Sequence, residues 1–321
     1  LNKRGHNPLS SVFERLANLG RQAPTDINIK QRYSLDRVEL FKRLIKEKTP
    51  IKKPNQTFHL TEDYIEDIFK KGGQIEAALE DYKARDSQIS MSKSITRSIL
   101  DEKSLLVEGG TGVGKSMAYL VPSMIFSLAT GKRIVISTNT INLQEQLIYN
   151  DIPLLITALQ NSIPEFADFK YSLLKGRDNY LCLKLWENMR KADEMTKEQA
   201  RVTSKILVWL QKTVTGDRTE LNLEYRDTSL WNRFSASGSF QCNPNINDLC
   251  FLKNARANAE ASNIVVVNHS LLLRDIADGG GLIPPYEYVI IDEAHHLEDE
   301  ATRQFGDKIT QTVFDEYLTD L

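Results

Sequence analysis

Residues 109–116 read GGTGVGKS, a stretch in which four of the first six positions are glycine and the last two are Lys115 and Ser116. Glycine loses more conformational entropy on folding than any other residue, so this cluster indicates a backbone that wraps closely around something. The stretch fits the pattern G-x-x-x-x-G-K-[ST], in which the N–H groups of the loop and the positive end of the following helix bind phosphates. The sequence therefore predicts a phosphate-binding loop.

Each residue of this loop has an expected role. Lys115 is expected to contact the β and γ phosphates of a nucleotide, and the Ser116 hydroxyl is expected to bind Mg²⁺. The residues expected to surround the phosphates are Gly109, Gly110, Thr111, Gly112, Val113 and Gly114. A glycine-rich turn that fits the pattern by chance is the alternative. The flanking sequence argues against it, because SLLVE (104–108) predicts a strand before the loop and residues 117–131 predict a helix that ends at Gly131.

Strands and helices are predicted to alternate beyond the loop. KRIVISTN (132–139) has the composition of a strand, and TINLQEQLIYN (140–150) that of a helix. Two continuous apolar stretches, NIVVVN (263–268) and YEYVII (286–291), follow near the end of the sequence. Such stretches are typical of parallel strands that are buried on both faces of a sheet. The order indicates an α/β fold with a parallel sheet and crossover helices.

A second motif, which is acidic, lies in YVIIDEAHHLEDEA, residues 288–301. Its apolar strand delivers Asp292 and Glu293 at the carboxyl end, where α/β sheets bind ligands. Asp292 can hold Mg²⁺, and Glu293 can orient and deprotonate an attacking water. The alternative is an acidic helix start, since carboxylates favour helix N-termini. Combined with the phosphate loop, the motif favours hydrolysis of ATP with magnesium.

The composition is that of an ordinary globular protein. The 321 residues are 41% hydrophobic with a net charge of −2, which neither indicates nor excludes binding to nucleic acid. No apolar run approaches the ~20 residues that span a bilayer. We see no secretory signal, and we expect a cytoplasmic protein without membrane association. Because the chain starts at Leu1 and stops within a helical pattern, it has the features of a fragment.

Four segments are expected along the chain. Residues 1–75 predict an N-terminal helical extension or linker, in which Thr61 has the position of a helix N-cap. Residues 76–180 and 263–321 predict the two parts of the nucleotide-binding domain. Residues 181–262 hold all three cysteines of the chain and interrupt the α/β pattern, which indicates an insertion.

Several segments resemble one family of proteins when they are taken together. DEAH (292–295) resembles motif II of superfamily 2 helicases, and ISTNTINLQEQL (136–147) resembles motif Ia of the DinG-type, XPD-like helicases. Three more segments resemble blocks of this family: YKARDSQISM (82–91), KGRDNYLC (175–182) and IVVVNHSLLL (264–273). The resemblance extends in order over most of the chain, from about residue 75 to 310.

This resemblance implies a RecA-like P-loop domain in an ATP-dependent DNA helicase. Such an enzyme couples ATP hydrolysis to 5′–3′ translocation on single-stranded DNA and to the unwinding of forked or duplex DNA in repair or replication. The resemblance also implies a second RecA-like domain that brings an arginine finger to the ATP. The present chain would hold the nucleotide-binding half, and residues 297–321 would begin the arch insertion that follows motif II.

Individual residues gain roles from the same resemblance. Gln88 would bind adenine through paired hydrogen bonds, helped by Arg85, although both could be surface residues. The segment Thr138, Asn139 and Thr140 would contact the phosphates of single-stranded DNA, although it would also make a helix cap.

Three histidines lie just after predicted strands in the motifs that resemble this family. His295 would couple the state of the nucleotide to the DNA-binding surface, and His296 is expected to be solvated or packed without a role in chemistry. Asn268 and His269 follow a strand end, and their role stays open.

The cysteines depart from the pattern of the family. Members with an iron–sulfur cluster use four cysteines, and this chain has Cys182, Cys242 and Cys250. Three hypotheses remain: a cluster with a non-cysteine ligand such as Asp248, a labile three-iron cluster, or no cluster.

Two other functions stay open beside the helicase. Residues 10–24 weakly resemble the tail of a proofreading-type 3′–5′ exonuclease, so the helicase-like part could regulate a nuclease through ATP. A non-enzymatic, nucleotide-switched binding module is the third hypothesis. The presence of both Lys115 and Glu293 argues against it, because a switch does not need the base.

Overall fold

A computed structural model describes residue 51 and residues 60–79, 82–110, 112–191, 195–238 and 250–306. Most of the predicted N-terminal extension, Thr111, Cys242, Asp248 and the predicted start of the arch insertion after residue 306 therefore lie outside the described residues. Within those ranges, no helix has the length and apolar character needed to cross a membrane.

The described helices, in chain order, are α1 (Glu62–Phe69), α2 (Gln74–Ala78), α3 (Asp86–Leu100), α4 (Lys115–Thr130), α5 (Ile141–Gln146), α6 (Ile152–Leu159), α7 (Leu183–Lys191), α8 (Lys197–Trp209), α9 (Tyr225–Trp231), α10 (Phe251–Glu260), α11 (His269–Ala277) and α12 (Leu297–Phe305). A π-helical turn, Leu147–Asp151, joins α5 to α6.

The described strands form one parallel sheet. They are β1 (Ile134–Thr138), β2 (Tyr171–Leu173), β3 (Ile264–Asn268) and β4 (Tyr288–Ile291), in the spatial order β2-β3-β1-β4. Ile134 of β1 lies beside Ile264 of β3 and Tyr288 of β4. The parallel order places the carboxyl ends of these strands at one edge, and the predicted α/β class is confirmed.

Two helix boundaries follow from capping residues that the sequence indicates. The Thr61 hydroxyl accepts a hydrogen bond from the Tyr64 N–H at 3.1 Å and so begins α1. Gly131 ends α4 in the left-handed conformation, with φ at 71°, which glycine adopts without steric cost. Both predicted boundaries are confirmed.

The strand expected at 104–108 is not formed. Residues 103–110 have no regular secondary structure, and the Leu106 side chain is 91% exposed. An apolar run becomes a strand only when a neighbouring strand supplies backbone partners and cover for its side chains. Neither is present beside this segment among the described residues, so the prediction was wrong here.

Contacts within the chain define two units, one of residues 51–174 and 259–306 and one of Lys175–Asn258. The expected four-segment division stays a prediction. In the larger unit, α4 is almost wholly buried, and Phe126 on α4 packs edge-on against Tyr288 with ring centroids 4.9 Å apart. In the smaller unit, Trp186 and Trp231 are buried in a separate apolar core.

Candidate active site

Two glycines of the phosphate loop have backbone angles that other residues rarely adopt. Gly112 and Gly114 have φ values of 79° and 82°, which side-chain-bearing residues rarely adopt. A Cβ atom at Gly114 would also lie 2.3 Å from Nε2 of Gln88. Lys115 and Ser116 follow in the first turn of α4, at the positive end of its dipole.

The acidic motif lies directly opposite this loop. Asp292 follows β4, and its N–H donates to the Ser137 carbonyl at 2.8 Å, which extends the pairing of β4 with β1. The next residue, Glu293, has the left-handed backbone angles φ 55° and ψ 44°. Its carboxylate lies 3.2 Å from the Lys115 ammonium. The fold thus brings together the two motifs, which are 178 positions apart in sequence.

Tyr119 is part of this site, although the sequence analysis did not identify it. Its buried hydroxyl donates to Oδ2 of Asp292 at 3.1 Å. Burial, followed by the negative charge of Asp292, holds the Tyr119 pKa well above its usual range, so the hydroxyl stays a donor. The spacing could have revealed it, because Tyr119 follows Ser116 by three residues and so shares its helix face.

The oxygen atoms around the loop suit magnesium. Ser116 and Asp292 supply a hydroxyl and a carboxylate, the hard oxygen ligands that Mg²⁺ prefers. Asp151, which the sequence motifs did not indicate, accepts from the Gln146 amide at 3.3 Å and borders the same cavity as Ser116. Burial raises the pKa of Asp151. The donors present therefore fit a magnesium–nucleotide complex.

Gln88 borders a cavity of about 460 Å³ beside the phosphate loop. Its amide Nε2 donates to the Gly114 carbonyl at 2.9 Å, and its Oε1 accepts from the Tyr82 hydroxyl at 2.7 Å. Burial raises the pKa of Tyr82 to about 12. Arg85 donates to the Gly112 carbonyl. Gln88 is 2% exposed, so it is not the surface residue that the sequence allowed. A carboxamide has a second N–H and a second lone pair, and the role of Gln88 in adenine binding stays a prediction.

The segment after β1 forms the helix cap that the sequence allows. The Thr140 hydroxyl accepts from the Leu143 N–H at 3.3 Å at the start of α5. Thr138 is fully buried, which counts against a direct contact between its side chain and DNA, whereas Asn139 is half-buried and Thr140 is exposed. The expected contact of this segment with DNA stays a prediction, carried by the two accessible residues.

The histidines after the strand ends have different surroundings. His295 is 65% exposed, with Nδ1 3.5 Å from the Glu293 carboxylate and its ring 4.0 Å from that of His296. Asn268 caps α11 by accepting from the Leu271 N–H at 2.9 Å. His269 is buried, and its Nδ1 lies 2.7 Å from the Ser137 hydroxyl. Burial lowers the pKa of His269 and so favours its neutral form.

The cysteines do not supply a complete set of cluster ligands. Cys182 and Cys250 are half-buried in the smaller unit, and Cys242 lies outside the described residues. In the part of the chain that the structure describes, no three histidine, cysteine or acidic side chains come together as a metal site. The chain has three cysteines, one fewer than the four thiolates that iron–sulfur clusters usually require.

The fold and the site together define a P-loop nucleotide-binding domain. The chain belongs to the family described as type III restriction enzyme, res subunit, whose model matches residues 81–317.

Curated relatives include DNA helicases. The chain is 35% identical over 258 residues to the ATP-dependent DNA helicase YoaA of Haemophilus influenzae, covering 78% of this chain and 38% of that protein. It is 35% identical over 245 residues to the ATP-dependent helicase DinG of Mycobacterium tuberculosis, covering 70% and 36%. It is 32% identical over 230 residues to the 3′-5′ exonuclease DinG of Bacillus subtilis, covering 71% and 24%. The chain thus spans well under half the length of these relatives.

Proposed function

We propose that this chain carries the ATP-hydrolysing site of a DinG-type ATP-dependent DNA helicase. The observation that supports this most is the meeting of Lys115 with Glu293, and of Tyr119 with Asp292, at the carboxyl edge of a parallel sheet. A phosphate loop alone would serve a binding protein. A carboxylate at the position of a general base, facing the lysine of that loop, serves hydrolysis.

Each residue of the site has a distinct proposed role in ATP hydrolysis. The loop N–H groups and Lys115 bind the phosphates, while Ser116 and Asp292 hold the magnesium, which when bound neutralises phosphate charge. Tyr119 fixes the orientation of the Asp292 carboxylate. When Lys115 turns to the γ phosphate, Glu293 loses its ion-pair partner and is free to orient and deprotonate the attacking water.

The partners that we propose are single-stranded DNA and forked or duplex DNA, acted on in the cytoplasm during repair or replication. Two relatives are named as helicases, which supports this choice. The accessible residues Asn139 and Thr140 lie at the carboxyl edge of the sheet, beside the hydrolysis site. DNA held there would be next to the residues that respond to the nucleotide.

The test is ATP hydrolysis by the full-length protein with and without single-stranded DNA. We expect DNA to raise turnover. Lys115→Ala should lower the DNA-stimulated turnover by about 100-fold or more, because the substitution removes the cation that contacts the transferred phosphate. Lys103→Ala, which removes an exposed lysine outside the site, is the matched control and should behave as wild type. Equal nucleotide binding by Lys115→Ala would contradict the assignment of the phosphate loop.

An ATP-regulated exonuclease is the second candidate. The observation that favours it is the relative from Bacillus subtilis, which is named as a 3′-5′ exonuclease. In that case the full-length protein would degrade DNA from 3′ ends, and its ATP hydrolysis would not respond to DNA. The same assay, with a 3′-labelled strand added, separates the two functions.

A further inference from the structure

His269 is the buried histidine that neither the phosphate loop nor the acidic motif uses. It is the first residue of α11 and directly follows β3, and its side chain is 1% exposed. Its Nδ1 lies 2.7 Å from the hydroxyl of Ser137, which is fully buried on β1. The side-chain bond therefore joins the carboxyl ends of two neighbouring strands.

Ser137 is also bonded to the hydrolysis site. Its main-chain carbonyl accepts from the Asp292 N–H at 2.8 Å. The residue that follows it is buried Thr138, which leads directly into Asn139 and Thr140, the accessible residues proposed to meet DNA. Ser137 thus has three connections: to His269 by its hydroxyl, to Asp292 by its carbonyl, and to the DNA segment by the chain itself.

The second ring nitrogen of His269 faces the acidic motif. The backbone of Asp292 and Glu293 is close enough to the ring to act on the pKa of His269, but Nε2 is buried and has no partner at hydrogen-bond distance and angle among the described residues. A buried polar atom without a partner is unfavourable and calls for an explanation. Glu293 beside it has the rare left-handed conformation. Backbone strain at Glu293, beside an unpaired nitrogen of His269, is the kind of local cost that persists at functional sites.

We propose that His269 is a positioning residue that links the Asp292–Glu293 turn to the segment 138–140, so that bound single-stranded DNA brings Glu293 into its hydrolytic position. DNA on this segment would shift Ser137, and the His269 ring would move with it until Nε2 bonds to the backbone of the turn. This inference rests on the proposed function, because it explains how hydrolysis responds to DNA. It assigns to buried His269 the coupling that the family resemblance implies for exposed His295.

Substitutions in the full-length protein can test separately the bond between Ser137 and His269 and the proposed bond from His269 Nε2 to the Asp292–Glu293 turn. Ser137→Ala removes the hydroxyl and keeps the carbonyl that holds Asp292. His269→Asn keeps a polar atom near the position of Nδ1 but does not reach that of Nε2, whereas His269→Gln reaches the position of Nε2. Ser127→Ala is the matched control, since Ser127 is a fully buried serine with hydrogen bonds at the opposite edge of the sheet.

The measurements are kcat and KM for ATP with and without saturating single-stranded DNA, and the Kd for that DNA. We expect Ser137→Ala and His269→Asn each to lower the DNA stimulation of kcat by about fivefold or more. KM for ATP, DNA affinity and turnover without DNA should stay within about twofold of wild type. The double variant should lose no more than either single variant, because both remove one link. His269→Gln should recover part of the stimulation.

Other results would overturn the link. Full stimulation in Ser137→Ala contradicts it. A parallel fall of stimulated and unstimulated turnover, with their ratio unchanged, would show that His269 serves stability alone. A wild-type protein whose hydrolysis ignores DNA contradicts the proposed function itself, and this link with it.

Discussion

Glu293 has two charged or polar neighbours that hold its carboxylate in the structure. One oxygen lies 3.2 Å from Lys115 Nζ, and the other lies 3.5 Å from Nδ1 of His295. The left-handed backbone at Glu293 turns the side chain towards the loop instead of along β4. Such strain persists at functional sites, where the surrounding structure enforces it. A nucleotide that takes Lys115 away would therefore release the Glu293 carboxylate, which the proposed link to DNA would then bring into its hydrolytic position.

The first residue-scale prediction concerns this carboxylate. Glu293→Gln should lower ATP turnover of the full-length protein by about 100-fold or more, because an amide of the same size cannot accept the water proton. ATP binding should persist, since the phosphate loop is unchanged. Glu298→Gln makes the same change at an exposed position in the first turn of α12 and should leave turnover unaltered. Persistent turnover in Glu293→Gln would show that Glu293 is not the base.

The second residue-scale prediction concerns Tyr119. Tyr119→Phe removes the hydroxyl that donates to Asp292 and keeps the buried ring. Loss of a group that orients a metal ligand should raise the free Mg²⁺ needed for half-maximal hydrolysis by about tenfold. Tyr171→Phe, a half-buried tyrosine at the far end of the sheet order, is the control. An unchanged Mg²⁺ dependence would exclude the orienting role.

Local patterns predicted the residues whose spacing is fixed by the chemistry. Lys115, Ser116 and the pair Asp292–Glu293 could be identified because each motif is continuous in sequence. The contact of Tyr119 with Asp292 could not, since it joins positions 173 residues apart. The bond of Gln88 to Gly114 could not be predicted either, because it joins positions 26 residues apart and depends on how α3 packs against the loop before α4.

At the scale of elements, the same distinction between local and distant information holds. Helix α4 ends where its glycine indicates, and β1 and β3 form where apolar runs predict them. The run 104–108 has an equally apolar pattern, yet its leucines remain exposed. Helix ends are capped by neighbours in sequence, whereas a strand requires a partner that the local pattern does not report. The predictions were therefore confirmed for the end of α4 and for β1 and β3, and wrong for the strand at 104–108.

Arg133 carries the element-scale prediction, because it holds together the amino ends of the strands. Its guanidinium donates to three main-chain carbonyls, those of Glu260, Ser262 and Pro285. The main-chain N–H of Arg133 donates to the Glu287 carboxylate. Arg133→Ala should destabilise the protein by about 2–3 kcal/mol, because these carbonyls lose a charged donor. The corresponding fall in Tm should be about 5 °C.

The control is Arg97→Ala, measured in the same thermal unfolding experiment. Arg97 makes a two-pronged ion pair with Glu62, but its side chain is 64% exposed. Exposed pairs contribute little to stability, so Tm should hardly change. Equal shifts in the two variants would contradict the role of Arg133 in joining the strands.

At the scale of the whole molecule, the relatives extend far beyond the matched region. The chain covers 36–38% of the two helicases, so groups that complete turnover can lie in their unmatched parts. The site in this chain holds the phosphate loop, the proposed base Glu293 and the proposed magnesium ligands Ser116 and Asp292. Among the described residues, no arginine is hydrogen-bonded or ion-paired to the Glu293 carboxylate, whose neighbours are Lys115 and His295. Stabilisation of the transition state is therefore the step that we expect to need more of the protein.

This expectation gives the whole-molecule prediction, a comparison of the 321-residue chain with the full-length protein. Both should bind ATP with similar Kd values, because the loop and its glycines are complete in each. Turnover with single-stranded DNA should be at least about 100-fold higher in the full-length protein, since an added arginine finger contributes that much or more to phosphoryl transfer. Lys115→Ala in each form measures the background ATP turnover that does not come from this site. Equal DNA-stimulated turnover in the two forms would show that this chain is a complete ATPase, whereas failure of the shorter form to bind ATP would show that its loop needs the rest of the protein to form.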